Sequence, residues 1–431
     1  MKYKSFAELI RNGVLRVSDG YRAKNNELGG GGPVFLRSAY LQDNGFTLTD
    51  PDRFQCVDTS KFGDKVAIFE DTVITTKGNS TGRVGYVSSN VEGAVYSPHL
   101  SYWRSLDNNR LCPRYLYFWS RSQNFLDQLH SFAYATDMAP YFSLRDQMRI
   151  VIALPNIAIQ REIAAILSAL DDKIELNRKT AATLEEMARA LYRSWFVDFD
   201  PVHAKAAGLA PAHMDAPTAA LFPDRFGDYG LPERWEEKPL SSIADFLNGA
   251  ALQKFPPLEG EVGIPVIKIA QLRNGLTAGG PKASSELPMK YKVHDGDVLF
   301  SWSGSLLQRV WTGGMGALNQ HLFKVSSEVV PKWFHYFAVD QHMMEFQAIA
   351  ASKATTMGHI QRHHLDEAQI IMPTQSVMAS ADRLIQPLFN RSFQCQMENH
   401  SLVTLRDTLL PRLMSGELRV GEARAQVEEV V

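Results

Sequence analysis

The sequence is poor in cysteine and has no long apolar run, and both shortages restrict what the chain can be. Its 431 residues include 3 cysteines, far apart and without a Cys-x-x-Cys pair: Cys56, Cys112 and Cys395. Neither a disulfide framework nor a cysteine zinc site is therefore expected. The longest uncharged stretches, such as 310–323, fall short of the ~20 apolar residues that a membrane helix needs. We expect a cytoplasmic protein without a membrane partner.

Sequence motifs of catalysis are also missing. The chain has neither the glycine-rich Gly-Lys-Ser/Thr loop of nucleotide hydrolases nor a Gly-x-Ser-x-Gly nucleophile elbow. Residues 198–201 loosely resemble the adenine methyltransferase motif, but Val202 and His203 stand where that motif needs proline and an aromatic residue. We read this segment as a helix end followed by a proline stop. No active site is expected on this chain.

Histidines could still form a metal site. His359, His363 and His364 include the i, i+4 spacing that can ligate zinc on a helix. No third ligand is evident in the sequence, so surface or DNA-facing histidines are the better interpretation. We predict neither a metal nor a cofactor on this chain.

The chain contains an internal duplication. Shifted by 218 residues, the segment 113–119 falls on 331–337, and 152–155 falls on 370–373. The match needs no gap from Pro113 to Phe196, whereas further upstream the offset drifts by a few residues. The offset between the repeats drifts before Pro113 and is constant after it. This predicts variable loops in the front of each repeat and an element of fixed length in its back.

The front of each repeat predicts a mixed α/β (α+β) globule. Short β-branched runs split by glycine, aspartate and asparagine are typical of strands. We predict strands at 65–69, 71–75 and 83–87, and at 265–269, 297–300 and 309–311. A short aromatic helix follows in each repeat, at 114–118 and 332–337.

The back of each repeat predicts a long helix with a coiled-coil seam. Apolar residues recur in steps of four and three over more than four heptads, and the second seam is weaker in its middle. A buried amide at the seam, here Asn177, commonly fixes register. The two helices are expected to pack as an antiparallel coiled coil. The predicted seam residues are Ile163, Leu167, Leu170, Ile174, Asn177, Leu184, Leu191, Ile385, Leu388, Leu402 and Leu409.

These patterns divide the chain into two tandem globules, each followed by a long helix. Five prolines after residue 198 are expected to break helical structure in the connection. The predicted segments are the first globule at 1–153, the first long helix at 154–199, a linker at 200–233, the second globule at 234–372, the second long helix at 373–418 and a tail at 419–431.

Two polar loops are the best candidates for recognition. Residues 77–83 form a cationic, glycine-rich connection between two predicted strands, and 301–309 is its counterpart. Such loops can donate to phosphates and offer Asn, Gln or Arg to base edges; an ordinary hairpin, and a shared structural role for His99 and His321, remain open alternatives. The candidate residues are Lys77, Asn79, Ser80, Arg83, His99, Ser301, Trp302, Ser303, Gln308, Arg309, Asn319, Gln320 and His321.

At the helix ends the sequence resembles a known family. Residues 154–177 resemble the start of the first spacer helix in the specificity subunit of type I restriction–modification systems, and 190–202 resemble that helix's end. Residues 221–235 resemble the lead-in to the second globule, and 410–418 the end of the second helix. The second helix start, at 372–376, lacks the usual Gln-Arg/Lys pair.

The resemblance implies a function that the residues alone do not. Each globule would be a target recognition domain reading one half of a bipartite, asymmetric site in double-stranded DNA. The helices would fix the gap between the half-sites and dock two modification (methyltransferase) subunits; a block of alanines across 171–175 is expected to weaken that docking. Catalysis would belong to partners: modification subunits using S-adenosylmethionine and restriction subunits using ATP and Mg²⁺. A non-DNA scaffold built from a duplicated globule is the alternative.

Overall fold

The protein forms two compact units, each of which contains one globule and part of both long helices. The computed structural model describes residues 2–42, 45–134, 139–277, 279–352 and 358–430, so the outermost residues of the predicted segments 1–153 and 419–431 lie outside it. Unit 1 comprises the residues up to Ile174 and those from Leu402 onward, and unit 2 comprises Glu175–Ser401. The finer domain boundaries stay a prediction.

Unit 1 alternates short strands with short helices before the first long helix. Its strands are β1 (Lys2–Ser5), β2 (Leu15–Asp19), β3 (Phe35–Leu36), β4 (Leu41–Gln42), β5 (Gly45–Phe46), β6 (Thr72–Thr75), β7 (Val84–Tyr86), β8 (Val95–Tyr96), β9 (Leu100–Ser105) and β10 (Val151–Leu154). Its helices are α1 (Phe6–Arg11), α2 (Pro113–Trp119), α3 (Gln123–Ala133), α4 (Leu144–Gln147) and the beginning of α5 (Ile157–Phe196).

Unit 2 repeats this order. Helices α6 (Asp200–Ala206) and α7 (Ala216–Leu221) precede strands β11 (Glu236–Pro239), β12 (Asp245–Asn248), β13 (Ile264–Ile267), β14 (Lys282–Ala283), β15 (Lys292–Val293), β16 (Val298–Ser301), β17 (Gln308–Val310), β18 (Gly316–Leu318), β19 (Leu322–Ser326) and β20 (Gln369–Met372). Helices α8 (Leu240–Ile243), α9 (Ile269–Asn274), α10 (Lys332–Gln341), α11 (Met343–Ser352) and α12 (Arg362–Glu367) lie between these strands, and α13 (Gln375–Ser415) follows. The end of α13 and the last helix, α14 (Val420–Glu428), belong to unit 1.

The same antiparallel sheet forms the centre of each globule. Its strand order is β2-β9-β6-β7 in unit 1 and β12-β19-β16-β17 in unit 2. Aromatic side chains pack against it; in unit 1 Phe6, Trp103 and Trp119 are almost fully buried in one core. The mixed α/β fold predicted for both repeats is thus confirmed, and the common topology explains why the repeat signal survives in the sequence.

Each repeat closes with a two-stranded ribbon that leads into a long helix. Strand β1 pairs antiparallel with β10, and β11 pairs with β20. Because β10 and β20 immediately precede α5 and α13, each ribbon ties the start of its repeat to the start of a helix.

The two long helices pack against each other as predicted. In unit 1, Asp171 of α5 contacts Arg406 of α13, and residues near Ile163 lie beside Leu413. In unit 2, the Ser392 hydroxyl donates to the Ala181 carbonyl at 2.9 Å. Within unit 1 later residues of α5 contact earlier residues of α13, which is antiparallel pairing.

The polar positions of the weaker second seam make contacts of their own. Ser392 is 3% exposed and bonds the α5 backbone, and Arg406 bonds the Asp171 carboxylate at 2.9 Å. Asn177 is 4% exposed, and its Nδ2 has no hydrogen-bond partner among the described residues. The predicted seam residues are buried, except that Leu184, Leu191 and Leu388 are half-buried.

Three local predictions were wrong. Residues 65–69 form no strand, since a 3₁₀ turn ends at Lys65 and only Val66 makes an isolated bridge, to Val95. The prolines of the linker do not exclude helix, because Pro201 and Pro217 occupy first-turn positions of α6 and α7, where the missing N–H is no loss. The region predicted as a tail carries α14, whose Ala423 and Val427 are buried in unit 1.

Burial of His335 in α10 predicts a loss of stability in acid. Its side chain is 3% exposed, its Nδ1 has no partner among the described residues, and burial lowers its pKa from 6.5 to about 4. The unfolded chain therefore binds the proton first, so stability is full above pH 6.5 and falls as the pH drops to 4, by about 3 kcal/mol. Denaturant unfolding at pH 7 and pH 4.5 should show a smaller loss in His335→Leu than in the parent; equal losses would contradict the assignment.

Candidate nucleic-acid interface

Most of the predicted recognition residues lie at one end of the central sheet in each unit. Thr75, the last residue of β6, pairs with Leu100 at the start of β9, and Ser301 pairs with Leu322 in the same way. We call residues 76–83, 97–99 and 140–142 loop edge 1. Residues 302–307, 319–321 and 358–360 are loop edge 2.

The two loop edges have equivalent backbones. The Thr76 N–H donates to the His99 carbonyl at 3.0 Å, and the Gly78 N–H donates to Pro140 at 3.1 Å. In loop edge 2, Trp302 donates to His321 at 3.3 Å and Gly304 to Gly358 at 2.8 Å. Gly78 and Gly304 have φ of +80° and +66°, the left-handed region that favours glycine. The duplication therefore extends into these loops although their sequences differ.

A glycine missed by the sequence analysis lets each edge close. Gly20 follows β2, and a Cβ there would lie 2.1 Å from the Ser97 carbonyl oxygen. Gly249 follows β12, and its Cβ would lie 2.2 Å from the Asn319 carbonyl oxygen. The only sequence signal was a lone glycine after a strand pattern, which becomes informative once the repeats are aligned through the structure.

Loop edge 1 presents flexible polar and cationic side chains. Lys77, Asn79 and His99 are exposed. Ser80 is half-buried, and its carbonyl accepts the Thr75 hydroxyl. Arg83 is half-buried and donates to the Leu41 carbonyl at 2.8 Å. The first three side chains are available to a ligand, while Ser80 and Arg83 shape the hairpin.

Loop edge 2 is aromatic and more rigid. Trp302 is half-buried, its ring centroid lies 5.8 Å from that of His321 and 6.2 Å from that of His359, and its Nε1 donates to Asn248 at 3.1 Å. The Ser303 hydroxyl bonds His321 Nδ1 at 2.9 Å. This hydrogen bond fixes the imidazole beside the indole, so loop edge 2 offers a preorganised aromatic surface.

The remaining residues of the second polar loop are engaged within the protein. The Ser301 hydroxyl is fully buried and donates to Ser305. Gln308 donates to the Tyr336 carbonyl at 2.9 Å, and Arg309 donates to the carbonyls of Leu272 and Arg273 at the end of α9. These donors hold the fold around loop edge 2.

The amide pair predicted beside His321 lies in the same place. Asn319 is 5% exposed, donates to the Gln320 side chain at 2.9 Å and accepts the His321 N–H at 3.3 Å. Gln320 is half-buried. Asn319 thus orients its two neighbours.

Tyr141 and His359 lie at equivalent positions of the two edges. The sequence analysis missed Tyr141 and named His359 only as a member of the histidine group. Tyr141 forms an isolated antiparallel β-bridge with Lys77, and His359 forms one with Ser303. Tyr141 is 56% exposed. Both come from a segment far along the chain, so only the fold brings them to the edges.

The structure gives the histidine group a third neighbour. His363 and His364 lie with Glu367, their ligand atoms within 4.8 Å of one another. His364 Nδ1 accepts the backbone N–H of Gln361 at 2.9 Å. His359 lies instead at loop edge 2, where its ring meets Trp302.

Both globules match one protein family. The family described as the type I restriction modification DNA specificity domain matches residues 12–186 and 232–381. The chain belongs to this family. Both matches include a central sheet with its loop edge, so the recognition residues proposed from sequence lie inside specificity domains.

Curated relatives carry the same designation. The specificity subunit of type I restriction enzyme MjaIX from Methanocaldococcus jannaschii is 26% identical over 279 residues, or 63% of this chain and 61% of that protein. The HindI specificity subunit of Haemophilus influenzae is 26% identical over 322 residues, or 62% of this chain and 68% of that protein. The aligned part therefore spans about three fifths to two thirds of these relatives' length.

The fold also matches a solved relative. The S subunit of a type I restriction–modification system from M. genitalium superposes with a TM-score of 0.52 at 15% identity, over 96% of this chain and 95% of that one. This likeness supports the architecture of specificity domains followed by long helices. Among the described residues, none of the helices has the length and apolar character to cross a membrane.

Proposed function

We propose that this chain is a non-catalytic specificity subunit that reads one half of a bipartite DNA site with each globule. The observation that carries the proposal is the pair of equivalent loop edges, which share a backbone but present different side chains. Equivalent backbone frames with different side chains suit two different half-sites, and hence an asymmetric sequence.

The chemistry of each edge suits DNA in a different way. Lys77 and His99 at loop edge 1 can contact phosphates, and the exposed Asn79 amide can pair with adenine in the major groove. At loop edge 2 the ordered Trp302 and His321 provide apolar and imidazole surface for base edges, with Gln320 beside them. The near-neutral chain, with a net charge of −2, is then expected to share phosphate contacts with partners.

The long helices set the distance between the half-sites in this proposal. Helices of about 40 residues rise ~60 Å, and half-sites about one DNA turn, ~34 Å, apart would present both to one face of the duplex. Modification subunits supply S-adenosylmethionine-dependent adenine methylation, and restriction subunits supply ATP- and Mg²⁺-dependent cleavage. The complex acts in the cytoplasm.

A stripe of uncharged residues on α5 suits the docking of a modification subunit. Leu176, Thr180, Thr183 and Met187 recur in steps of four, three and four, each one position before the seam. Leu176 and Met187 are 59% and 50% exposed. Exposed apolar side chains in register on one helix face are typical of a protein interface. The alanine block at 171–175 is a poor test of docking, because Ile174 is in the unit 1 core and Asp171 bonds Arg406.

Charged substitutions on this stripe should release the modification subunit. We expect the double variant Leu176→Glu, Met187→Glu to bind it roughly 30-fold more weakly, as about 2 kcal/mol of apolar burial is lost. Ala182→Glu is the matched control, since Ala182 is exposed and lies about 120° around the same helix from Leu176. Co-purification of the double variant at the level of the control would exclude the stripe as the docking surface.

A reconstituted methylation assay tests the function as a whole. Purified modification subunits are incubated with plasmid DNA and labelled S-adenosylmethionine, with and without this chain. Incorporation into adenine that requires this chain is the expected result. A stable complex that neither binds nor methylates DNA would favour a non-DNA scaffold.

A further inference from the structure

Two arginines of the first recognition domain, Arg114 and Arg121, contact the first half of α5. Arg114 Nε donates to Ser168 Oγ at 2.9 Å, and its Nη2 lies 3.8 Å from Asp172. The same guanidinium covers the ring of Tyr86 at 4.1 Å from the centroid. Arg114 thus joins β7, α2 and α5 within unit 1.

Asp171 is the point where three elements meet. Its Oδ2 lies 3.6 Å from Nη1 of Arg121, which follows α2, and its Oδ1 accepts Nη1 of Arg406 on α13 at 2.9 Å. The Asp171 side chain is 17% exposed and that of Arg406 13%. Ion pairs this shielded from water have a defined geometry and are weakly screened by salt. One carboxylate therefore links a recognition domain to both long helices.

Unit 2 also has an ion pair between its domain and a long helix, but there the domain contacts the helix of the other repeat. There Asp340 at the end of α10 accepts Nε of Arg189 on α5 at 2.7 Å. The domain contributes the cation in unit 1 and the anion in unit 2. The two contacts are not equivalent under the duplication, because the position on α13 that corresponds to Asp171 is Phe389. Each domain is therefore tied to the helices by an ion pair of its own.

We propose that Asp171 is a positioning residue, which holds the first recognition domain at a fixed angle on the helix pair and thereby enforces the gap between the half-sites. The inference rests on the proposed function. It adds the contact that fixes the recognition domain to the helices that set the distance between the half-sites. Helix length alone sets a distance only if the domain cannot rock on the helix. The Arg121–Asp171–Arg406 cluster prevents that motion.

Gap selectivity measures this role directly. Once the half-sites are known, the reconstituted complex is given duplexes with the native gap or a gap one base pair longer or shorter. The parent should methylate only the native gap efficiently. For Asp171→Asn and for Arg121→Gln we expect discrimination between the gaps to fall roughly tenfold, with Asp171→Glu restoring part of it.

Two comparisons separate positioning from general stability. Glu175→Gln removes an exposed carboxylate that pairs with Arg178 one turn away on the same helix, and should leave the gap profile unchanged. Arg121→Gln leaves the Asp171–Arg406 pair of the helices intact, so a purely structural role would spare its gap profile. Unchanged discrimination in both Asp171→Asn and Arg121→Gln would overturn the inference. Failure of the parent to show any bipartite site would instead overturn the proposed function.

Discussion

Substituting Gly20 with alanine should lower the melting temperature of the first recognition domain by about 10 °C relative to the parent. The new Cβ would lie 2.1 Å from the Ser97 carbonyl oxygen and 2.3 Å from that of Tyr96. Both contacts are with backbone, so no side-chain rotation relieves them. Separating the strands also strains the 2.7 Å hydrogen bond from Tyr21 N–H to Tyr96. Overpacking with a weakened hydrogen bond costs about 2–4 kcal/mol, or roughly 10 °C in a domain of this size.

Gly31→Ala is the matched control for this prediction. It makes the same chemical change in the same domain, at a position where a Cβ meets nothing within 4 Å. Scanning calorimetry should show its first transition within about 1 °C of the parent. Equal melting of Gly20→Ala and Gly31→Ala would show that the close approach at loop edge 1 does not stabilise the domain.

Removal of the Trp302 ring should abolish reading of one half-site and spare the other. The indole is ordered by His321, His359 and its hydrogen bond to Asn248, so its loss leaves loop edge 2 without its main surface. We expect Trp302→Ala to lower methylation of the full site by about tenfold to a hundredfold, as for loss of one aromatic base contact. The decisive readout uses duplexes altered in a single half-site. The variant should still reject changes in the half-site read by loop edge 1 and should tolerate changes in the other.

Met315→Ala provides the comparison for Trp302. Met315 is 50% exposed in the same unit, outside loop edge 2, and its truncation should leave both half-sites discriminated. A Trp302→Ala variant that folds normally and discriminates both half-sites as the parent does would remove loop edge 2 from the recognition surface.

The parts of this fold that follow from periodicity could be predicted from the sequence. The long helices were expected at 154–199 and 373–418 and are observed at Ile157–Phe196 and Gln375–Ser415. A seam of apolar residues in steps of three and four has few structural interpretations, and an internal repeat doubles the signal. Polar seam residues such as Arg406 weakened the second pattern because their partners lie on the other helix.

The candidate site was less predictable because it depends on contacts between distant segments. Sequence composition suggests that Arg309 and Lys77 are equally available cations, yet Arg309 holds the end of α9 while Lys77 is exposed. Tyr141 and His359 reach the edges through single backbone bridges that no local pattern encodes. Gly20 has meaning only beside Ser97. Loop residues acquire their roles from the strands that hold them together.

A methylome tests the central claim most directly. The chain is expressed with its modification subunits in a host that lacks adenine methylation, and modified adenines are mapped by single-molecule sequencing. The account predicts a split motif, two different half-sites separated by a constant gap, that disappears when this chain is omitted. A continuous motif, or methylation that persists without this chain, would contradict it.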